Sequence, residues 1–252
     1  METLFIGKNT IFLSDTVSTN SYAMELLKNV NLPEGTLVHA AHQTQGRGQR
    51  GSRWVALPDE SLTVSVVLKP TFLEPKNQFL LYQIAALASH DTIAQFIDLS
   101  QYDIKIKWPN DILVNRQKIC GILIENSLSG EHLNWCVMGI GVNVKLKPQD
   151  NLPQMVSMQA FTSRLLKPAD LIKPLCMHLE RYYLQLKNGH YEQIRQQYVK
   201  RLFALGEWRR YVLREEEMMA KIDGISEQGF LRMEGPEGVF REVDVKEVRY
   251  LF

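Results

Sequence analysis

Ile104-Lys105-Ile106-Lys107-Trp108-Pro109-Asn110-Asp111-Ile112-Leu113-Val114 is the stretch on which the reading of this chain turns. Isoleucines alternate with lysines on the way in, and an apolar run leads out. Two strands are predicted, over 104–108 and 112–114. Pro109 lacks an amide hydrogen and biases Trp108 to an extended backbone, so a regular ladder breaks between the strands. The bend sets a cation, an indole, an amide and a carboxylate side by side. Core packing alone does not explain such a set, and a bend of this kind can aim polar groups at a ligand.

Further strands lie on either side. Asn115-Arg116-Gln117 predicts a turn into a strand over Ile119 to Glu125, and Asn134 to Val144 predicts another. Upstream, Thr10 to Leu13 and Thr36 to His42 read as strands, as does Ser61 to Leu68, where Val64, Val66 and Leu68 alternate. Ser18-Thr19-Asn20 offers helix-capping side chains before the helically spaced Ala23, Met24, Leu26 and Leu27. Phe79 to Ile97 predicts a long buried helix. Ala169 to Leu186 predicts a helix interrupted near Pro174, and Tyr191 to Leu202 another. Beyond Gly206 come short strands over 209–213, 219–225, 230–233 and 239–245, punctuated by Gly224, Gly229 and Gly235-Pro236. That spacing suggests a small barrel. The expectation is an α+β body over residues 1–204 and a small all-β domain over 205–252.

The 252 residues are 45% hydrophobic and 23% charged, with a net charge of +1. This is ordinary for a globular protein and gives no global charge argument for nucleic acid. Cys120, Cys136 and Cys176 sit in apolar segments without metal-ligand spacing, and read as buried thiols in a reducing compartment. Met1 to Phe5 lacks the start of a signal peptide, and no apolar stretch approaches membrane length. A cytoplasmic protein is expected, with no membrane partner.

Gly46-Arg47-Gly48-Gln49-Arg50-Gly51 matches G-x-G-x-x-G literally. A dinucleotide fingerprint needs a helix to open at the last glycine, and Ser52-Arg53-Trp54-Val55-Ala56-Leu57-Pro58 follows instead. No kinase catalytic segment accompanies it. Three glycines permit close backbone approach, their amides can form an anion nest, and Arg47 and Arg50 add planar donors for carboxylate or phosphate. Alone, a solvated surface loop fits equally well. With Lys107 to Asp111 in the same domain, anion binding is favoured.

These segments fall in a familiar order. Ser18-Thr19-Asn20, Gln43 to Gly48, Lys107 to Asp111, Lys118-Ile119-Cys120-Gly121-Ile122-Leu123-Ile124-Glu125 and Gly139-Ile140-Gly141-Val142-Asn143 together resemble the biotin protein ligases, from about Phe12 to about Val144. The resemblance implies an α+β domain with a mixed sheet and packed helices, related to lipoate ligases and class II aminoacyl-tRNA synthetases, followed by an SH3-like barrel. It implies ATP and Mg²⁺, biotin as substrate, a biotinyl-5′-AMP intermediate, and transfer to a lysine of a biotin carboxyl carrier domain. The matching region begins so near residue 1 that the type without an N-terminal DNA-binding domain is expected. DNA is not an expected partner, and a weak homodimer is compatible with the resemblance.

By the same resemblance, Arg47 clamps the biotin carboxylate and the α-phosphate, and Lys118 contacts the acyl-phosphate oxygens. Ser18, Thr19, Asn20 and Gln43 have the donors and acceptors a ureido group needs. Gly46, Gly48 and Gly121 complete the implied biotin site. For the nucleotide, the implied residues are Arg47, Gln49, Arg50, Trp54, Lys107, Asn110, Asp111, Lys118, Gly141 and Asn143. Arg47, Lys118, Lys107 and Asp111 are the catalytic candidates, and Asp111 is the Mg²⁺ candidate because a hard cation prefers carboxylate oxygen. Each has a blander alternative: helix capping for Ser18 to Asn20, an outward strand lysine for Lys107, a solvated turn lysine for Lys118, an ion pair with Arg47 or Lys107 for Asp111, and core packing for Trp54. Two departures stand out. Gln49 replaces a usual arginine, which predicts a leakier adenylate. Leu57-Pro58-Asp59-Glu60-Ser61 replaces a usual Pro-Gly turn. A lipoate ligase, a non-catalytic biotin binder and a biotin-responsive repressor are the competing readings.

Overall fold

A computed structural model describes residues 2–56, 58–145 and 156–251. Seven strands form a mixed sheet: β1 (Thr10–Thr16), β2 (Leu37–Gln43), β3 (Ser61–Leu68), β4 (Ile104–Lys107), β5 (Asp111–Val114), β6 (Gln117–Ser129) and β7 (His132–Asn143). Their spatial order is β1-β2-β3-β7-β6-β5-β4, with β1 and β2 parallel and every other neighbour antiparallel. Asn115 and Arg116 both have positive φ, 47° and 70°, which makes the two-residue β5–β6 connection the tight turn that matches strand twist.

Helices cover both faces of this sheet. On one lies α1 (Thr19–Asn29), where Ala23 packs with Leu32, Val38, Val67 and Val137. On the other lie α2 (Phe79–Ala94), α3 (Ile172–Lys187) and α4 (Tyr191–Lys200), over the main core. This explains β3. The alternation of Val64, Val66 and Leu68 is real, and those residues enter the main core, yet all eight residues are buried because the opposite face lies under α1 and the site. Pro174 does not interrupt α3. It stands in the first turn, where an amide hydrogen has no helical partner to lose.

The remaining strands, β8 (Trp208–Leu213), β9 (Glu216–Ile225), β10 (Leu231–Glu234), β11 (Phe240–Val243) and β12 (Val248–Tyr250), form an antiparallel sheet ordered β11-β10-β9-β8-β12. The expected barrel is thus, among the described residues, a sheet whose end strands do not pair with each other. Ile106 exchanges backbone hydrogen bonds with Arg201 and Phe203, and Leu205 bridges to Ile222, so the second sheet starts at the edge strand of the first. Tyr211, Leu213, Ala220 and Ile222 share one core with Ile104 and Ile106. The three cysteines are buried free thiols. Burial pushes Cys120 up to about 12 and Cys176 up to about 11, so both are uncharged at neutral pH. Among the described residues, no helix is long and apolar enough to cross a membrane.

Candidate active site

Strand register lays the floor of a cleft on the α1 face. Thr63 pairs with Gly141, Gly141 with Gly121, and Gly121 with Asp111, so one row crosses β3, β7, β6 and β5. Ser65, Gly139 and Leu123 form the next row. Residues directly opposite one another point to the same side. Lys118 and Gly121 are three apart and would face opposite ways in a regular strand. A register shift between Ile112 and Leu113 makes Ile119 an extra residue, so Lys118 joins the cleft face.

The first turn of α1 is the near wall. Ser18 caps the helix, accepting from the Ser21 N–H at 3.5 Å. Thr19 donates to Gln43 Oε1 through its backbone N at 2.7 Å and its Oγ1 at 3.1 Å. Ser65 Oγ lies 2.7 Å from Thr19 Oγ1 and 2.6 Å from Asn20 Oδ1. Ser18, Thr19, Asn20 and Gln43 all line the cleft, so capping and ligand-facing roles coexist. These buried polar groups hold one another, and such networks are stiff in a low dielectric. Sequence reasoning did not single out Thr63 and Ser65. The available signal was their polarity at alternate positions of an otherwise apolar strand.

Charge enters as two ion pairs. Lys118 Nζ meets Asp111 Oδ1 at 2.7 Å, and Arg47 Nη2 meets Glu125 Oε2 at 2.7 Å. Asp111 thus holds Lys118, and the carboxylate that holds Arg47 is Glu125, to which the sequence reading gave no role. Asp111 Oδ1 faces Lys118, which orients that amine. No cluster of three metal-binding side chains occurs among the described residues. Lys107 shares the row of Asp111 but lines a neighbouring groove with Val245, Arg249 and Tyr250. Its ammonium lies 5.2 Å from the Tyr250 ring centroid, and burial lowers its pKa, with the Lys118 charge acting the same way and Asp111 opposing.

The Gly-rich segment is a small hairpin rather than an irregular loop. Gly48 N–H donates to Ser52 O and Trp54 N–H to Gly46 O, at 2.7 and 2.8 Å, around a turn at Gln49–Gly51. Those two amides are committed within the hairpin, so the expected amide nest is not formed by them, and the described cations that the hairpin brings to the cleft are Arg47 and Arg53. Both line the cleft, as do Gly48 and Gln49, while Gly46 is buried behind it. The Arg50 side chain lies outside what is described. At the hairpin's exit Asp59 takes φ 57°, the left-handed conformation glycine accepts most readily, and Leu57 is outside the described residues.

Trp54 decides the shape of the cleft. Its ring occupies the space a Cβ would need at Gly141, and comes within 3.0 Å of one at Gly121. The glycines thus seat the indole in this structure rather than leave main chain bare for a ligand. Asn20 fills the same space at Gly139. The cleft encloses about 170 Å³, below the roughly 300 Å³ at which ligand pockets begin. Asn110 lines it, with Nδ2 donating to Ile122 O at 2.7 Å. Asn143 does not: it is fully buried, donating to Val156 O at 3.2 Å, with Oδ1 unpartnered.

Residues 13–143 match the model of the Biotin/lipoate A/B protein ligase family. The biotin–[acetyl-CoA-carboxylase] ligase of Paracoccus denitrificans is 32% identical over 231 residues, 90% of this chain and 94% of that protein. The bifunctional ligase/repressor BirA of Bacillus subtilis is 28% identical over 243 residues, 95% of this chain and 73% of that protein. The structure of the biotin protein ligase from Aquifex aeolicus in complex with biotin and ATP superposes with a TM-score of 0.77 at 25% identity, covering 96% of this chain and 98% of that one. The match takes in the capped helix, the Gly-Arg hairpin, the Trp-Pro bend and the paired glycines of the floor, and on that ground the chain belongs to the biotin/lipoate A/B protein ligase family.

Proposed function

We propose that the chain is an ATP-dependent biotin protein ligase. The observation that carries this is one cleft lined by the cations Arg47, Arg53 and Lys118, beside a neutral polar cluster of Ser18, Thr19, Asn20 and Gln43. A substrate with an anionic end and a ureido end has matching partners there. In the first step the biotin carboxylate oxygen attacks the α-phosphorus of MgATP, an O–P bond forms, and pyrophosphate leaves. Both reactants are anionic, so the work is screening and alignment, with no protein nucleophile. Arg47 bridges the carboxylate and the phosphate, and Lys118, oriented by Asp111, balances charge on the acyl-phosphate oxygens. Mg²⁺ enters with the nucleotide. In the second step the amine of an acceptor lysine attacks the acyl carbon, an amide forms, and AMP departs with the electron pair.

The acceptor is a lysine of a biotin carboxyl carrier domain. The test mixes the protein with MgATP, an apo carrier domain and either biotin or lipoate, and reads the carrier's intact mass. A biotinyl gain that falls at least about a hundredfold in rate in Arg47→Ala and in Lys118→Ala is expected, the scale on which loss of a transition-state donor is felt. A lipoyl gain instead would move the chain to the lipoate side of the family. No gain with biotin still bound would leave a binding protein.

A further inference from the structure

Glu125 stands on β6 two residues beyond Leu123, on the cleft face, and its Oε2 receives two donors. Asn20 Nδ2 reaches it at 2.9 Å and Arg47 Nη2 at 2.7 Å. Asn20 belongs to the head-group wall and Arg47 to the hairpin that carries the anion clamp. One carboxylate oxygen therefore ties together parts of the site that are 27 positions apart in sequence and on different elements. Asn20 has no slack. Its Oδ1 accepts from Ser65, its Nδ2 also reaches Leu123 O at 3.3 Å, and its carboxamide fills the space beside Gly139. Whatever Glu125 does to Arg47 is thus referred to a fixed point.

Arg47 needs such a point. It sits on a short hairpin and its side chain is 45% exposed, against 28% for Glu125. A long side chain left to rotate must be ordered when the ligand arrives, and that cost is subtracted from affinity. The bond to Glu125 settles it beforehand and uses one of the guanidinium's five N–H donors. Next door on β6, the Tyr82 hydroxyl of α2 contacts Ile124 N and O at 3.4 and 3.3 Å. The hairpin thus meets β6 at Glu125, beside the residue to which α2 is fastened.

We propose that Glu125 is the positioning residue of this site: it holds Arg47 over the cleft and so keeps the acyl-adenylate from escaping before transfer. The inference rests on the ligase reading above. It also accounts for a hairpin without the family's usual arginine at position 49, because part of the closure passes to Glu125.

The experiment follows escape of biotinyl-AMP, made from biotin and radiolabelled MgATP without acceptor, by rapid gel filtration. The wild-type chain is compared with Glu125→Ala, Glu125→Gln, Arg47→Ala and the double variant Glu125→Ala/Arg47→Ala. Glu125→Ala is expected to release the adenylate about tenfold faster, equivalent to about 1.4 kcal/mol. Glu125→Gln keeps an acceptor for Asn20 and Arg47 and should stay within about threefold of wild type. Because Glu125 acts through Arg47, the double variant should leak no faster than Arg47→Ala alone, a non-additivity that a general loss of stability would not produce. Wild-type escape in Glu125→Ala, or additive leakage in the double variant, would overturn the proposal while leaving the ligase reading intact. Failure of the wild-type chain to form any adenylate would overturn both.

Discussion

At the scale of single residues, Gln49 is the informative departure. Gln49 lines the cleft but brings no charge to it. Gln49→Arg is expected to slow escape of the adenylate severalfold, about 1 kcal/mol for an exposed charge-assisted contact; an unchanged rate would mean that position 49 does not retain it. Of the residues singled out in the sequence, Arg47, Lys118, Asp111, Asn110, Trp54 and the α1 cluster converge on one cleft. They were legible mainly through the family resemblance of the segments that carry them; the residue pattern alone left capping, core packing and solvated charge open. Glu125 was not, because a carboxylate at the end of a strand reads as a solvated edge until the fold brings Arg47 to it from 78 positions away. Lys118 could be guessed but not aimed, since a one-residue bulge is invisible in composition. Asn143 does not join that cleft: a terminal strand amide looks available to a ligand, and here it donates to the backbone at Val156.

At the scale of elements, the strands and helices of the first sheet follow their patterns closely, whereas β12 is three residues long and too short to show any. Pro174 misled because a proline in a helical pattern is a breaker everywhere except in the first turn. The helical layer has a buried knot that no pattern announces. Asp91 of α2 accepts from Tyr182 and Arg181 of α3 at 2.7 Å each, pairs with Arg201 after α4 at 3.4 Å, and meets His90 at 3.0 Å. Burial acts to raise its pKa, but the hydrogen bonds from His90 and Tyr182 and the Arg201 charge together hold the carboxyl well below the usual range. A folded pKa depressed below the unfolded value, about 3.9, stabilises the fold above that pH and ceases to do so as pH falls toward the folded value. Asp91→Asn should therefore cost about 1–3 kcal/mol at pH 7. The gap to wild type should narrow below about pH 4. Urea unfolding at pH 7 and pH 3 measures both, and an equal gap at the two values would show that the charge contributes nothing.

At the scale of the whole molecule, the two sheets meet at the bend that carries Asn110 and Asp111. Trp108, 4% exposed, donates from Nε1 to Gly229 O at 3.0 Å, and Tyr198 of α4 donates to Pro109 O at 3.0 Å. The bend is thus clamped by the second sheet on one side and the helical layer on the other. The composition shift near residue 205 marks where the chain changes sheets, and the sequence shows that much. It does not show that the core runs through the junction, since shared burial is a property of packing and not of any one segment. With a common core, residues 1–204 and 205–252 are expected to unfold in one transition. Trp108→Phe leaves the Gly229 carbonyl unpaired and should lower stability by about 1–3 kcal/mol. It should also slow pyrophosphate formation, because Asp111 and its partner Lys118 lose their reference. Two separate transitions in calorimetry would break this picture.

The indole on the cleft floor also makes the protein its own optical instrument. Of four tryptophans, Trp54 is the one that lines the cleft; its Nε1 has no partner and Lys118 Nζ sits 5.8 Å from its ring centroid. A guest larger than the present space must shift that chromophore off Gly121 and Gly141, exchanging a cationic neighbour and a bare N–H for new surroundings. Arrival of a substrate should then register as a change in the colour and intensity of ultraviolet emission, with no dye attached. In a Trp54→Phe protein the signal should fall silent.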